Sequence, residues 1–597
     1  MKSKSKTIKI SPNNQSSLPK WINTSLVALP NEKLVGEKKR KDWVYLSSNQ
    51  FRENIQHLTL ALKSIGIKKG EKVGLVAPSG ISWIIFDQAI MCCGAVTVAM
   101  FENVSDFNFD YQIKQTKIKT ILISGKAAYQ KCMTQAKNLK TIIYDEHYQP
   151  PAKAKSKMKK NQMLSYEKLL DVGAKILKKQ PKAWEKMIAN LRLDQLATIV
   201  YTSGTTGLPK GVMLTHRCFM NQIKHISPRF RLFGERDRCV SFLPLAHIFE
   251  RTILYFYLYR GVSVSFCHEL DKLGDTLREI KPTMMTVVPR VLEKVYEKIE
   301  KGLHTASGLK KILLGSAIKR ALSQRQNAEK AAIDYFFDYL VYKKIRQNLG
   351  GSFRFIVSGG AALDKREYTF FTNVGLTIFQ GYGLTETAPV ISCNYPENNK
   401  PFSVGLPLDG IQVKTNKNGE LFVKTDSLMS GYFAKPAETS RVVSKDKWFA
   451  TGDIVEIDKK GYITILRRSK ELFKMSTGKY VSPIPLEQAL CKNHFIEHAL
   501  IIADNKKYVA ALIFVNPAEK EHLEKVEKLV KETVEKANEK KDDWEKIKQY
   551  SIIPKTLTIE RGELTPKMNF RRAQIEKTYA KEIEKLYQLP NVEDDQK

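Results

Sequence analysis

The residue types best suited to chemistry are concentrated in one short segment, residues 201–211, which reads Tyr-Thr-Ser-Gly-Thr-Thr-Gly-Leu-Pro-Lys-Gly. It contains three glycines, four serine or threonine hydroxyls and one lysine. Glycines let the backbone approach an anion closely and turn several N–H groups toward it. The segment matches neither the GxxxxGK[ST] pattern nor the GxGxxG pattern. It predicts a phosphate-binding loop of another type, with Thr202, Ser203, Gly204, Thr205, Thr206, Gly207 and Lys210 as the candidate ligands.

This segment and four later motifs resemble, in the same order, those of the adenylate-forming superfamily of acyl-CoA synthetases, luciferases and peptide-synthetase adenylation domains. Residues 358–361 resemble the strand end that contacts adenine in that family. Residues 380–386 resemble its second nucleotide motif and residues 448–453 its third. Residues 468–471 and 476–483 are similar to the hinge and to the opening of the C-terminal domain. The resemblance covers almost the whole chain.

The resemblance implies a role for each of these positions. Joining a carboxylate to ATP requires in-line attack on the α-phosphorus, so a donor-rich loop and Mg²⁺ must hold the departing pyrophosphate. Glu386 and Thr202 match the family's metal-site residues, and a carboxylate oxygen is a ligand that Mg²⁺ prefers. Tyr382 is expected to stack on adenine, and Asp453 to accept the ribose hydroxyls. The other expected nucleotide-site residues are Gly359, Gly360, Gln380, Gly381, Gly383, Thr385 and Arg468.

A second half-reaction, thioester formation, requires the same site to release pyrophosphate and admit a thiol. Members of the family achieve this by rotating the C-terminal domain about a hinge residue, a position that Lys470 occupies here. Gly478 matches the glycine beside the pantetheine channel. A hinge residue must absorb a large change in φ and ψ, which an exposed charged side chain tolerates. The resemblance therefore implies a mobile C-terminal domain.

The acyl group is expected to lie beside residues 243–251, which resemble the segment that borders the family's acyl pocket and make His247 a candidate catalytic or gate residue. Residues 282–296 and the basic insertion before Phe353 are similar to long-chain acyl-CoA synthetases in particular. The aromatic run 254–259 either lines a fatty-acyl tunnel or forms plain core. Long-chain acids are therefore favoured over small or aryl acids.

The chain departs from the family near its C-terminus. There the family has a lysine that contacts the carboxylate and the α-phosphate, two residues before a basic pair. Aligned on Arg571 and Arg572, that position holds Asn569, while Lys567 lies two residues earlier. A neutral amide cannot supply the same charge stabilisation at the transition state. Either Lys567 takes the catalytic role, or adenylation is slow and depends on other donors.

Composition limits the class of protein. Of 597 residues, 43% are hydrophobic and 27% charged, which excludes collagen-like, disulfide-scaffold and wholly disordered chains. The eight cysteines include no CxxC pair, so a zinc framework is not expected, and reduced thiols suit a cytoplasmic location. Residues 1–17 are basic and polar, which predicts no secretory signal. The most apolar stretch, 81–101, is interrupted by polar residues and predicts a buried helix and strand.

The net charge of +36, from 98 Lys and Arg against 62 Asp and Glu, needs an explanation. We recognise no helix-turn-helix, zinc-finger or RNP-like pattern, so nucleic acid is not an expected partner. An anionic membrane surface or an acidic acyl carrier protein fits the charge. A biased base composition in the host would also enrich lysine. The expected location is cytoplasmic. The positive charge also fits a protein bound peripherally to the inner face of a membrane.

Alternating helical and strand-like segments predict an α/β fold with mostly parallel sheets in a large N-terminal adenylation domain, residues 1–466. Residues 467–597 predict a small mobile C-terminal α/β domain. Within it, residues 518–544 predict a long charged helix with a core-facing apolar stripe. An exposed loop is expected at 151–163 and a basic helical excursion at 301–335. Apolar spacing of four and three residues predicts a helix over 51–65, and strands are expected at 73–77, 120–124, 141–144, 198–202, 285–288, 353–357, 462–466, 499–503 and 509–515.

Together these features predict an ATP-dependent ligase that converts a long-chain fatty acid to acyl-AMP and transfers the acyl group to CoA, with Mg²⁺ bound. One alternative is transfer to acyl carrier protein. A second is a weakly active protein that binds nucleotide and acyl chains without efficient turnover, which Asn569 alone supports.

Overall fold

The computed structural model describes residues 17–135, 139–145, 163–202, 208–232, 234–323, 332–468, 473–477, 479–493, 495–515, 523–539, 541–565, 568 and 570–588. The fold is mixed α/β, as the sequence predicts. No helix within these ranges is long and apolar enough to cross a membrane.

The largest sheet has eight strands, of which six run parallel and two pair antiparallel at one edge. Its parallel strands are buried runs rich in Val and Ile, as expected for a sheet covered on both faces. In spatial order the strands are Gly431–Tyr432, Lys210–Thr215, Leu196–Thr202, Val96–Ala99, Lys72–Val76, Thr120–Ile123, Thr141–Tyr144 and Met163–Ser165.

Three further sheets complete the first 468 residues. The five-stranded sheet contains Met284–Val287, Phe355–Ser358, Ile378–Gly383, Val390–Cys393 and Leu406–Pro407. A four-stranded sheet contains Arg238–Ser241, Ser263–Phe266, Val35–Lys39 and Asp42–Leu46. The other four-stranded sheet contains Gln412–Thr415, Glu420–Lys424, Phe449–Ile457 and Ile463–Arg468. This last sheet is wholly antiparallel, a feature that the alternation of helices and strands does not predict.

Helices cover these sheets and begin where local sequence signals favour it. Helix Ser48–Ser64 matches the predicted one and starts with a capping box, in which the Ser47 hydroxyl accepts from Gln50 N at 3.3 Å and the Gln50 side chain accepts from Ser47 N at 2.9 Å. The other helices up to residue 442 are Leu18–Ala28, Ile81–Cys92, Asp106–Thr116, Lys126–Gln135, Tyr166–Lys179, Ala183–Ala189, His216–Ile226, Ile248–Tyr259, Leu273–Ile280, Pro289–Thr305, Gly308–Leu322, Ala332–Phe337, Lys343–Asn348, Lys365–Asn373 and Pro436–Val442.

The C-terminal part is a small α/β unit around strands Ile496–Ile502, Val509–Val515 and Ile547–Ile553. Alternate residues of its sheet enter two separate clusters, so Leu500 packs on one face and Ile501 on the other. Its helices are Pro483–Leu490, Leu523–Asn538, Arg572–Thr578 and Ala580–Gln588, and a short hairpin joins Phe473–Lys474 to Tyr480–Val481.

The long C-terminal helix differs from its prediction in extent. The helix expected over 518–544 ends at Asn538, whose side chain exchanges hydrogen bonds of 2.9 and 3.0 Å with the backbone of Ile547. That amide closes the loop before the next strand, so the prediction of a longer helix is wrong at this end. Val526, Val530 and Val534 of its apolar stripe are buried, as expected. Most of the loop predicted at 151–163 lies outside the described residues, and Met163 begins an edge strand.

A fully buried ion pair ties helix Ile81–Cys92 to helix Ile248–Tyr259. Arg251 Nε donates to Asp87 Oδ2 at 2.8 Å, and a second guanidinium nitrogen pairs with Asp87 Oδ1. Arg251 Nη1 also donates to the Thr198 hydroxyl at 2.8 Å, on strand Leu196–Thr202. Tyr255 completes the network by donating its hydroxyl to Asp87. The aromatic run 254–259 is buried throughout, with Tyr255 in contact with the charge pair, and its part in a fatty-acyl tunnel stays a prediction.

The same helix reaches two more sheets through Glu250. The buried Glu250 carboxylate accepts from the Ser241 hydroxyl at 2.6 Å and from the Thr286 hydroxyl at 2.8 Å. Burial raises the pKa of Glu250 to about 7. One helix thus makes polar contacts to three different sheets.

Glycine is sterically required at one point of the hairpin formed by Ile378–Gly383 and Val390–Cys393. A Cβ at Gly383 would lie 1.8 Å from the carbonyl oxygen of Pro389. At Gly381 a Cβ would instead meet the Cys393 sulfur at 3.3 Å, a contact that small shifts can relieve. Only Gly383 lets the two backbones come together just before Glu386.

We predict that Arg251→Met strongly destabilises the protein, because Asp87 would remain buried without its partner. The expected loss is about 3–5 kcal/mol in the free energy of unfolding, measured by urea denaturation followed by tryptophan fluorescence. The control is Arg192→Met, which breaks an exposed pair with Asp194 and should cost less than about 1 kcal/mol. Equal losses in the two variants would contradict the central role of the buried pair.

We also predict that Gly383→Ala lowers stability by about 1–3 kcal/mol or more, because the methyl group overlaps a backbone oxygen. Gly302→Ala is the matched control, since its Cβ meets no atom within 4 Å and it lies in helix Pro289–Thr305. Alanine there should raise stability by up to about 1 kcal/mol. The same denaturation measurement checks both, and a Gly383→Ala protein as stable as wild type would refute the steric argument.

Candidate functional site

Asp453 is held by residues from two sheets. The Tyr382 hydroxyl, near the end of strand Ile378–Gly383, donates to Asp453 Oδ2 at 2.5 Å. Arg468 Nε lies 3.0 Å from Asp453 Oδ1, and the two residues are register partners on adjacent antiparallel strands. Burial raises the pKa of Tyr382 well above its ordinary value, and the Asp453 charge adds to this. The carboxylate is therefore fixed in orientation, while each oxygen retains capacity to accept a further hydrogen bond.

Glu386 lies in the single turn Thr385–Thr387 and contacts the edge of the largest sheet. The Tyr432 hydroxyl donates to Glu386 Oε1 at 2.8 Å, and Met429 N donates to the Glu386 carbonyl at 2.8 Å. Burial and, secondarily, the Glu386 charge raise the pKa of Tyr432. These contacts orient one carboxylate oxygen, and no described residue donates a hydrogen bond to the other, which is a candidate position for a cation or a donor. Sequence reasoning missed Tyr432, because it is far from Glu386 in the chain.

Lys210 is near this carboxylate but already has a partner. Its ammonium group forms an ion pair with Glu438 and lies 5.1 Å from the centre of the Tyr432 ring. Lys435 Nζ also lies 3.2 Å from Glu438 Oε1. Hydrogen bonding from Lys210 lowers the pKa of Glu438. Glu438 and Lys435, on either side of Pro436, were not predicted, and no local pattern identifies them.

Thr202 and Lys210 are directly opposite each other on paired strands, so the predicted phosphate loop connects the two strands of an antiparallel hairpin. Ser203, Gly204, Thr205, Thr206 and Gly207 lie outside the described residues.

Gly359 and Gly360 follow strand Phe355–Ser358, whose last residue pairs with Gln380. A Cβ at Gly359 would lie 3.0 Å from the Phe249 ring, and Gly360 has φ +85°. The Ser358 hydroxyl oxygen is buried and makes no hydrogen bond within the described structure. Gln380 and Thr385 are also buried, and Gly381 and Gly383 lie between them on and beside the hairpin. The structure thus brings the predicted nucleotide-site residues of 358–361 and 380–386 together with Asp453 around Tyr382.

His247 has a clear structural role. It is the N-cap of helix Ile248–Tyr259, and its Nδ1 accepts a hydrogen bond from Phe249 N at 3.2 Å. Nδ1 is therefore unprotonated, and Nε2 is the atom that carries a proton on the ring. The next turn of the helix holds Glu250 and Arg251, so His247 begins the helix that joins the sheets. Its predicted catalytic or gate role stays a prediction.

Three predicted residues, Lys470, Gly478 and Lys567, lie outside the described residues, as does Asn569. Close in sequence to Lys567 and Asn569, Arg571 N donates to the Glu563 carbonyl at 2.8 Å. Arg572 forms two hydrogen bonds of 2.6 and 2.7 Å with the Glu487 carboxylate. The second arginine of the basic pair is therefore engaged within the C-terminal unit.

Two family models match the two parts of the chain. A family model described as AMP-binding enzyme matches residues 27–433, and one described as AMP-binding enzyme C-terminal domain matches residues 470–590. A long-chain-fatty-acid–CoA ligase of Mycobacterium bovis is 30% identical over 91% of this chain and 92% of its own length. Fatty acyl-CoA synthetase A of Dictyostelium discoideum is 28% identical over 93% of this chain and 87% of its own.

Among solved structures, the adenylation domain of a carboxylate reductase from Mycobacterium chelonae superposes with a TM-score of 0.74 at 18% identity. The alignment covers 96% of this chain and 91% of that one, and at this identity it establishes the fold alone. The matched family models span both parts of the chain and confirm the resemblance seen in the motifs. The chain belongs to the AMP-binding enzyme family.

Proposed function

We propose that the protein is an ATP-dependent ligase that activates long-chain fatty acids as acyl-AMP, transfers the acyl group to CoA, and releases AMP and pyrophosphate. The observation that carries this proposal is the similarity, over nine-tenths of the chain, to a relative named as a long-chain-fatty-acid–CoA ligase. The arrangement of Tyr382, Asp453 and Glu386 supports it, because it provides separate positions for a ribose, a purine and a charged phosphate group.

The nucleoside part of ATP is assigned to the cluster around Asp453. Both of its oxygens are held by protein donors, so the carboxylate is preorganised to accept from neighbouring ribose hydroxyls. Tyr382 keeps its hydroxyl on Asp453 and is partly exposed, and its ring is the candidate for stacking on adenine. Gly359 and Gly360 follow the strand that pairs with Gln380, and the Ser358 hydroxyl, which lacks a partner in the described structure, is a candidate donor there.

The phosphates are assigned to the loop between Thr202 and Lys210, with Mg²⁺ beside Glu386. Within the described residues no group of three or more His, Cys, Asp or Glu side chains is placed to hold a metal ion. Mg²⁺ usually takes one or two carboxylates and completes its shell with phosphate and water. Glu386, with one oxygen bound by Tyr432, and Thr202 fit a cation that arrives with ATP. When bound, Mg²⁺ would neutralise charge on the leaving pyrophosphate.

The remaining assignments extend the proposal to the acyl and thiol substrates. His247 is a candidate contact at the acyl site, by its match to the segment that borders the family's acyl pocket. Lys470 is assigned to the hinge and Gly478 to the CoA channel, by their match to the family motifs. Acyl carrier protein is the alternative acceptor, favoured by the net charge of +36, since such carriers are acidic.

The proposal predicts that wild-type protein releases pyrophosphate when mixed with ATP, Mg²⁺ and a long-chain acid, and that Glu386→Gln reduces this rate by about 10²-fold or more. The variant loses the negative charge that holds Mg²⁺, while the Tyr432 hydroxyl can still donate to the amide oxygen, so the fold should persist. Glu397→Gln is the control, because Glu397 is exposed and lies outside the site. Pyrophosphate release and circular dichroism are measured together.

Near wild-type release by a folded Glu386→Gln protein would show that the metal assignment is wrong. Absence of release by the wild-type protein with every long-chain acid would overturn the activity itself and favour a binding protein. Adding CoA or acyl carrier protein to preformed acyl-AMP, and measuring the thioester, then identifies the acceptor.

Lys567 and Asn569 are the two candidates for the position where the family has its catalytic lysine. If Lys567 supplies the family's missing charge, Lys567→Ala should slow acyl-AMP formation by about 10²-fold, the scale of removing one preorganised donor. Transfer from preformed acyl-AMP to CoA should be nearly unchanged, because that step uses the other face of the mobile domain. A single-turnover assay with ATP and a long-chain acid measures the first step.

The companion variant Asn569→Lys separates the two explanations. Little gain in the first step supports Lys567 as the substitute, whereas a marked acceleration shows that the position is vacant. If Lys567→Ala and Asn569→Lys both behave as wild type, this loop contributes no charge, and Lys210 must carry the stabilisation.

A further inference from the structure

Exposed large apolar side chains are concentrated in the helical excursion between helix Pro289–Thr305 and strand Phe355–Ser358. Six of the 17 large hydrophobic residues exposed in the described structure lie there. Exposed apolar residues are normally scattered singly over a protein surface, and a group of them marks an interaction site. We call this group the excursion patch; it consists of Leu309, Ile312, Ile333, Tyr335, Phe336 and Tyr339.

The excursion patch projects from an ordered base. Arg320 pairs with the buried Asp334 at 3.0 Å, joining helix Gly308–Leu322 to helix Ala332–Phe337. The Tyr342 hydroxyl donates to the Ala317 carbonyl at 2.9 Å, and both residues are buried. On the exposed side, Leu309 is 85% accessible and Tyr339 is 73% accessible. The scaffold therefore buries one set of side chains and holds the patch outward.

The segments that carry the patch are strongly basic. Residues 301–323 and 332–348 contain eight Lys and Arg against two Asp. Both aspartates are used internally, Asp334 by Arg320 and Asp338 by Arg346 at 2.6 Å. The other six cations are exposed lysines: Lys301, Lys310, Lys311, Lys319, Lys343 and Lys344.

We propose that the excursion patch docks on an anionic lipid surface. Basic side chains next to exposed aromatic and aliphatic groups match such a surface on both counts, since lysines are attracted to anionic headgroups and apolar side chains enter the interfacial layer. Tyrosine is well suited to that layer, because its ring is apolar and its hydroxyl polar. An acidic protein partner would satisfy the lysines but gives no reason for six exposed apolar groups. A second copy of the chain would bring like charges together.

The first experiment measures co-sedimentation of the full-length protein with vesicles of phosphatidylcholine alone, or of phosphatidylcholine mixed with phosphatidylglycerol. We expect binding at least about tenfold stronger to the anionic vesicles, weakening as salt is added. Lys310→Glu together with Lys311→Glu should reduce it by about tenfold or more. The matched control is Lys68→Glu with Lys69→Glu, an exposed lysine pair outside the excursion, which should bind within about twofold of wild type.

The second experiment tests the apolar part. Tyr335→Ser, Phe336→Ser and Tyr339→Ser are combined, and binding to anionic vesicles should fall by about tenfold or more, because three groups no longer leave water. The control combines Phe107→Ser with Leu270→Ser, two other exposed apolar residues, and should retain binding. Circular dichroism of each variant verifies its fold. Neither experiment contains ATP, fatty acid or CoA, so its result is independent of the proposed ligase activity.

The proposal is overturned if the wild-type protein does not bind anionic vesicles, or if the excursion variants bind as tightly as their controls. Binding that is lost only on charge reversal would indicate a purely electrostatic surface and would also overturn insertion of the apolar side chains. Sedimentation velocity without vesicles tests whether the patch binds a second copy of the chain. A concentration-dependent dimer that the serine variant abolishes would assign the patch to a second copy instead.

Discussion

The buried pair of Asp87 and Arg251 is the interaction on which the described structure depends most. Two charges without water are costly unless each is fully compensated, and here the guanidinium also binds Thr198 while the carboxylate also accepts from Tyr255. The compensation requires two helices and a strand to meet in one geometry. The same pair therefore holds strand Leu196–Thr202, at whose end the sequence of the predicted phosphate loop begins. Glu250, one residue before Arg251, extends the constraint to two other sheets.

The candidate site is built from strands of three different sheets. Tyr382 comes from the five-stranded sheet, Asp453 and Arg468 from the antiparallel sheet, and Lys210 and Tyr432 from the edge of the largest sheet. Each of these polar groups is oriented by a partner from another element, with Asp453 held from two sides and Glu386 held by Tyr432. Such contacts fix the orientation of a side chain before a substrate binds, and preorganisation of this kind is what an electrostatic site requires.

Local signals in the sequence predicted where helices and strands form, but they did not predict which side chains of distant elements contact each other. The capping box at Ser47 and the apolar spacing after it are properties of a few neighbouring residues, and the helix forms there as expected. The hydrogen bonds from Tyr382 to Asp453 and from Tyr432 to Glu386 join residues 71 and 46 positions apart, so no local pattern contains them. The motif resemblance identified three of these four residues but not Tyr432. The end of the long C-terminal helix was misjudged for the same reason, since Asn538 stops it through a contact with Ile547.

The large positive charge of the chain is not concentrated at the site. The site cations described there, Lys210 and Arg468, each contact a carboxylate, so the resting site is close to internally balanced. A phosphate competing for Lys210 must replace Glu438 as its partner. Lys435 already contacts Glu438, so that carboxylate retains a cation when Lys210 turns away. This second lysine reduces the cost of releasing Lys210, because Glu438 is not left as an unpaired charge. The arrangement thus allows the Lys210 ammonium group to pair with Glu438 in the absence of a substrate and to pair with a phosphate when one binds.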